Sequence, residues 1–593
     1  MKFNHIYLIL PAVLLLASVS LASGQNLDPT VEVSRDYEGK LMEVHKPKIA
    51  MAVPDSVLRF DLEFDYSVSD SPYKGAYEFS PYTMDMKPSP MIRDFGKFYM
   101  KAGAGYQLHP VFDLIWSPEF KKPFRMNVYG SHRSFIGNYW TMNEPGLSGE
   151  EAVVDRMRKD DGGKRFWKGY DLLTDAGIDG RYDWSGGLLR FDIGYYGLFQ
   201  QDNLFHVTAR SYNALDASIG MSSKDSPGDL FRYKAAVSYR LAGDELSDTS
   251  AEPESLGEQN LKLDGGLLFG LSNGGMFGFD LGLKLASTSG DFVSGGGEFD
   301  VVPKYVMNSG RWHFDIGARI SAAFRTDPFS EVYEYEEQML YPAIRVEYMA
   351  ISDAMKLYLD LGGDSKVESY ADVISHNHRA DLRYGRGRWD ILNITDESLS
   401  AVIGAEGRAG VRFSYDVKGG YVSYANAMLD GIIARKATAV TSATWLPALG
   451  YTAYDKAFAE IDWLLQLDSF RFDGNFCYAY AWSRSRESSN GLFLPAAFTG
   501  NVALEYDWKK RCTFAVGCEF STARKGNVTD LGGNTVEAAV PGYADLGVDV
   551  EYDINRRFSV WARGGNLLGM TVQRSILYAE KGPYFTAGIC LNL

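Results

Sequence analysis

Cysteine is scarce: four in 593 residues, none in a C-x-x-C or Cys/His spacing. That excludes a disulfide scaffold and the usual structural zinc site. Basic excess is missing too. The formal net charge is −16, and no basic stripe carries interleaved aromatics, so nucleic acid is excluded as a partner. Long apolar runs are absent beyond about residue 25, where no window reaches the ~18–20 apolar residues of a spanning helix. No extended helical period follows either. Aromatics and glycine are plentiful instead: 37 Tyr, 34 Phe, 11 Trp and 61 Gly.

The N-terminus reads as an export signal. Lys2 precedes an apolar run from Ile6 to Ala22, and the small residues Ala22-Ser23-Gly24 stand before a cut at Gln25. Residues 1–24 are therefore expected to be a cleaved signal peptide. Residues 25–93 carry Pro29, Pro47, Pro54, Pro72, Pro81, Pro88 and Pro90, and only Val57–Val68 alternates cleanly. They are expected to form a short, extended periplasmic segment. An exported chain without apolar helices is either soluble or crosses a membrane as strands.

From about Phe95 onward the period is two. In GYADLGVDVEYDINRRFSVW, Leu546, Val548, Val550 and Tyr552 alternate with Asp545, Asp549 and Glu551. Trp312, Phe314, Ile316 and Ile320 alternate with Asp315 and Arg319, and Phe277, Phe279, Leu281 and Leu283 with Asp280. Such runs last about 9 to 13 residues, the length of a tilted membrane strand rather than of an average soluble one. Charges on one parity, strand after strand, predict a wet lumen opposite a lipid face. The fold class is all-β: a transmembrane antiparallel β-barrel of about 20–22 strands over residues 94–593. The expected lumen-facing charges are Asp280, Asp315, Arg319, Arg412, Arg471, Asp473, Glu505, Asp545, Asp549, Glu551 and Arg563. They set a cation preference or form a mutually paired wall.

Tight turns such as Lys509-Lys510, Asp468-Ser469 and Asn308-Ser309-Gly310 alternate with long connections, among them Gly243–Gly257, Gly363–Leu399, Ala425–Lys456 and Thr522–Pro541. Short periplasmic turns and long outer loops are the barrel rule. On this parity Cys477 and Cys590 face the lumen and Cys512 and Cys518 face lipid, all without chemistry.

The C-terminal pattern Asn566-Leu567-Leu568-Gly569, then Gly582-Pro583-Tyr584-Phe585-Thr586-Ala587-Gly588-Ile589, resembles the closing strands of TonB-dependent receptors. Thr30-Val31-Glu32-Val33-Ser34 looks like a TonB box. The resemblance implies an outer-membrane receptor of a Gram-negative bacterium, inserted into lipid by the barrel assembly machinery. TonB, or surface and periplasmic proteins, are its possible partners. Such receptors carry a globular plug ahead of the barrel. Only about 70 residues stand there in this chain, which implies a plugless or reduced-plug relative. With no full plug, residues 25–93, inward-folded loops or a partner must close so wide a barrel.

No catalytic constellation appears, and neither an enzyme nor a cofactor is expected. Ser131 and His132 are adjacent on a strand and point to opposite faces, so they cannot form a nucleophile–base pair. His376 and His378 share one parity if extended, but read as a solvated loop rather than a metal site. The stretch 243–258, with six acids, reads as a solvated surface loop. The function expected is transport of a hydrophilic solute across the outer membrane. The alternative is a non-transporting scaffold in an assembly or secretion complex.

Overall fold

The computed structural model describes residues 97–593 except 121–122, 141–151, 154–165, 203–207, 225–229, 249–250, 273, 327–332, 336–338, 353, 380–391, 436–443, 486–488 and 530–534. The expected signal peptide, the segment 25–93 and the Thr30–Ser34 motif lie outside the described residues.

Period-two runs become strands because alternate side chains fall on opposite faces of a pleated ribbon. Consecutive strands pair as antiparallel hairpins, and among the described residues they form a 23-stranded sheet. One member, Tyr333–Tyr335, is a short extension beside Trp312–Thr326. The other 22 form a closed antiparallel barrel. Phe98–Gly105 zips onto Tyr584–Asn592 from Tyr99↔Asn592 to Gly105↔Thr586, which leaves no free sheet edge.

The outer face is apolar. Phe277, Leu281 and Leu285 on Met276–Gly290, and Ile316 and Ile320 on Trp312–Thr326, are all exposed. Each would forfeit about 1.5–3 kcal/mol facing water, and an apolar band around the barrel is the surface expected of a lipid-facing wall. Aromatics gather near the strand ends: Trp508 and Tyr552 beside the tight turns, Tyr480 and Trp482 at the other end. The Lys509 ammonium lies 4.9 Å from the Trp508 ring centre, as a basic side chain reaching for the interface does. Lys509 and Lys510 have φ of 57° and 55°, so two non-glycine residues take left-handed backbone in the three-residue connection between Trp508 and Cys512.

Several long connections are shorter than the sequence suggests. Phe413–Arg435 and Thr444–Gln466 are 23-residue strands, so most of the expected loop Ala425–Lys456 is sheet. The register slips between Tyr424 and Ala427, a bulge that breaks the strict period there. Phe231–Asp248 and Ala251–Gly270 likewise run as ladder through the acidic stretch expected to be a solvated loop. Thr522–Pro541 contains its own hairpin, Arg524–Thr529 with Thr535–Val540. Within Gly363–Leu399 the strand continues to Val367, and Tyr370–His376 forms a helix, α1.

Candidate functional site: two loop segments folded into the lumen

Residues 368–379 cross the barrel interior. The helix α1 is only two turns long and is fixed at its start by Ser369. The Ser369 hydroxyl accepts from the Asp372 amide, and the Asp372 carboxylate accepts from the Ser369 amide, a capping box. Tyr370, Val373 and Ile374 then fall on one face, at the i, i+3, i+4 spacing. That face packs on Leu198, Tyr212, Ala242 and Leu256 from one side of the wall and on Leu449 from a distant strand. A seven-residue helix cannot persist alone in water, so this burial holds it.

Polar groups of the wall seize what α1 leaves unpaired. The Glu258 carboxylate accepts from the Ala371 amide at 3.0 Å. The Tyr370 hydroxyl donates to Asp244, which also pairs with Arg210 at 3.0 Å. Arg210 and Gln200 donate to the carbonyl of His378 at 2.6 and 2.8 Å. Burial would push the Asp372 carboxyl up. Lys284 and Lys366, each at 2.9 Å, and the Ser369 hydrogen bonds outweigh it and hold Asp372 well below the carboxylate range. Burial, then Arg379, lowers the His378 imidazole to about 3, so it is neutral.

The second segment, residues 566–583, descends from the turn after Phe558–Gly565. Asn566 turns the chain with φ 45°, its amide donating to Asp545 at 3.1 Å. Ile576 and Leu577 bury against Ile432, Phe493 and Val540, while Tyr578 joins Phe135, Tyr139 and Trp167. Arg574 binds Glu519 at 2.8 Å and Asp545 at 3.2 Å. Lys581 reaches the His109 Nε2 at 3.0 Å.

The two segments meet. Ser575 donates to the Asn377 side-chain oxygen at 3.0 Å, and the Arg379 guanidinium lies 4.7 Å from the Tyr578 ring centre. Asn377 also donates to Asp430, which holds Arg524 at 3.3 Å. The wall-to-wall contacts are hydrophobic at their centres and ionic at their anchors.

The charges expected on the inner parity are mostly engaged with opposite charge. Asp280 pairs with Lys234 at 3.0 Å and Lys304 at 2.7 Å, and Arg319 with Asp364. Arg471 pairs with Asp473 at 2.9 Å, and Arg563 with Asp549 at 2.6 Å. Asp315 stands opposite Arg345 in register and Glu505 opposite Arg471. Glu551 accepts from Ser559 at 2.7 Å. Arg412 differs from the others: it lies in the tight turn before Phe413, pairing at 3.4 Å with the exposed Asp468 of the next turn. The four cysteines are free; Cys477 and Cys590 are buried, and so is Cys512, which the parity placed on the lipid face, while Cys518 is half-buried.

His376 and His378 do not sit in the solvated loop that the sequence suggests. His378 is buried under Gln200 and Arg210, and His376 faces Asp430 at 3.6 Å. Among the described residues no cluster of His, Cys, Asp or Glu could hold a metal ion. The acidic stretch is not solvated at its inner parity: Asp244 and Glu258 are buried anchors of α1. Asp171, Arg210, Arg379, Arg574 and Lys581 escaped the sequence reading. Arg210 and Asp244 left one signal, charge on the strand parity shared with apolar residues that become buried.

No protein-family model matches the chain, and no curated protein matches it. Solved structures do. The FrpB iron transporter from Neisseria meningitidis (F3-3 variant) superposes with a TM-score of 0.62 at 9% identity, over 84% of this chain and 82% of that one. The siderophore receptor PiuA from Acinetobacter baumannii gives 0.59 at 9%, over 84% and 82%. The copper transporter OprC gives 0.58 at 12%, over 84% and 81%. At such identity the likeness is one of fold: this chain shares their barrel.

Proposed function

We propose that this protein is a gated transporter of a hydrophilic solute in a Gram-negative outer membrane, closed at rest by its own segments 368–379 and 566–583. The observation that supports this reading is that both segments fold into the lumen, pack on separated parts of the wall and meet each other. Both segments belong to connections between strands, so the wall can stay intact while they withdraw. The barrel fold it shares with iron and copper transporters supports the same class. Energy coupling through Thr30–Ser34 to TonB is part of this proposal.

One observation favours the runner-up, a non-transporting scaffold. The pairs Arg210–Asp244 and Arg379–Asp171 are buried to 6% exposure or less, and such pairs are costly to break. Planar-bilayer conductance separates the readings. Replacing residues 369–378 by a Gly/Ser linker should turn a closed barrel into a large pore. Loss of solute uptake on deleting residues 30–34, with TonB captured by the intact chain, would support transport. Uptake indifferent to both changes would leave the scaffold.

A further inference from the structure

The barrel is lowest where it closes. Phe98–Gly105, Val111–Trp116, Phe558–Gly565 and Tyr584–Asn592 have 8, 6, 8 and 9 residues, against 17 in the neighbouring Phe124–Trp140. Eight tilted residues rise only ~19 Å, less than the ~25 Å apolar band of an outer-membrane barrel. The outer rim here therefore lies within the membrane. Its turns are apolar and exposed: Tyr106 (77%), Leu108 (58%), Leu567 (46%) and Leu568 (52%). Behind this rim, between the wall and segment 566–583, is a cavity of about 90 Å³.

Two of the cavity's cations stand outside its direct ion pairs. Its acids are Asp545, Asp549 and Glu580. Asp549 is taken by Arg563 at 2.6 Å, Asp545 and Glu580 by Arg574 at 3.2 and 3.7 Å. Arg133 is taken by Asp113 at 2.7 Å. That leaves Lys101 and Lys581. Among the described residues neither has a carboxylate within ion-pair reach. Lys101 lies 4.5 Å from the Trp561 ring centre, and Lys581 lies 4.2 Å from that of Tyr584. Lys581 also lies 5.3 Å from the Phe135 ring centre and donates to the neutral ring of His109. Accepting from an ammonium leaves His109 Nε2 without a proton, so its hydrogen sits on Nδ1. That Nδ1 is buried and has no acceptor. Two ammonium groups and an unmet N–H donor therefore line one small cavity.

We propose that this cavity is a binding site for a phosphate or carboxylate group, held by Lys101 and Lys581 with His109 Nδ1–H as a third donor. An anion there supplies the acceptors that the site lacks. It has two possible sources. A soluble anion arrives through the lumen, which would make the site part of the transport route proposed above. A lipid headgroup arrives over the low rim, with its chains on Leu108 and Leu568. Burial lowers the Lys581 ammonium to about 8, so binding weakens as pH rises through that value.

The test uses the purified full chain in neutral detergent, titrated calorimetrically with inorganic phosphate. Binding should weaken at least tenfold in Lys101→Met, a wall residue, and in Lys581→Met. It should be unchanged in Lys525→Met, whose ammonium is exposed and paired with Glu537. In nanodiscs, lysine-dependent thermal stabilisation by phosphatidylglycerol but not phosphatidylcholine, reversed by phosphate, assigns the lipid source. Stabilisation by phosphate alone assigns the soluble one. Equal binding by Lys101→Met and wild type, or no binding of either probe, overturns the site. Opening of the barrel by the 369–378 replacement is read separately by conductance, so either proposal can fail without the other.

Discussion

Arg379 donates to the carboxylate of Asp171 at 2.8 Å, joining residues 208 positions apart in the chain. Asp171 belongs to the wall strand Phe166–Trp184, and Arg379 to the segment that has just crossed the lumen. The same carboxylate accepts from Tyr139 at 2.5 Å. This contact pins the far end of the crossing segment next to Tyr578 of the other one.

Removing one partner of so buried a pair strands the other charge, at a cost of about 3–5 kcal/mol. Arg379→Ala is expected to loosen segment 368–379 and raise single-channel conductance in planar bilayers. Arg379→Met with Asp171→Leu, which removes both charges, should stay closed. A closed Arg379→Ala barrel would show that this pair does not hold the segment.

Ser369→Ala removes the side-chain half of the capping box and should cost about 1 kcal/mol of local stability. In a seven-residue helix that is enough to speed amide hydrogen exchange across Tyr370–His376 roughly fivefold. The barrel strands should exchange as before. Unchanged exchange in α1 would mean wall contacts alone determine its stability.

Burial lowers the Lys581 ammonium from an ordinary 10.5 to about 8 in the folded protein. Between those values the unfolded chain binds more protons than the folded one, so stability rises with pH from about 8 to 10.5. Below 8 this group contributes no slope. Thermal unfolding of the wild type at pH 8 and pH 10 should show a gain that Lys581→Met lacks. Identical slopes in the two proteins would refute the assignment.

Ile316 is exposed on the outer face of Trp312–Thr326. Ile316→Arg places a guanidinium against lipid at about 2–4 kcal/mol if near the midplane. The folded fraction on a heat-modifiability gel should fall, whereas Ile316→Leu should be neutral. An undiminished folded fraction would mean that this face does not meet lipid.

The barrel was legible because period two is local. Leu546, Val548 and Val550 against Asp545, Asp549 and Glu551 state two environments in one short stretch, and strand after strand repeats them. The Lys509-Lys510 turn and the closing strand Tyr584–Asn592 are equally local. α1 was not legible, because seven residues hold too few repeats of a 3.6 period to stand out. Segment 566–583 has no period at all; its Ile576 and Leu577 are consecutive yet bury in one cluster, while the next residue, Tyr578, joins another. The stretch 243–258 read as a solvated loop because six acids there suggest water. Two of them, Asp244 and Glu258, instead meet Arg210 and the Ala371 amide, groups far off in sequence.

By itself, then, the sequence determined the barrel, its apolar outer face and the alternation of short and long connections, because each follows from neighbouring residues and the surroundings they meet. Only the tertiary structure decided which segments fold into the lumen. Arg379 finds Asp171 only once the barrel has brought distant strands within reach, and Lys581 finds His109 only once the first and last strands pair to close it.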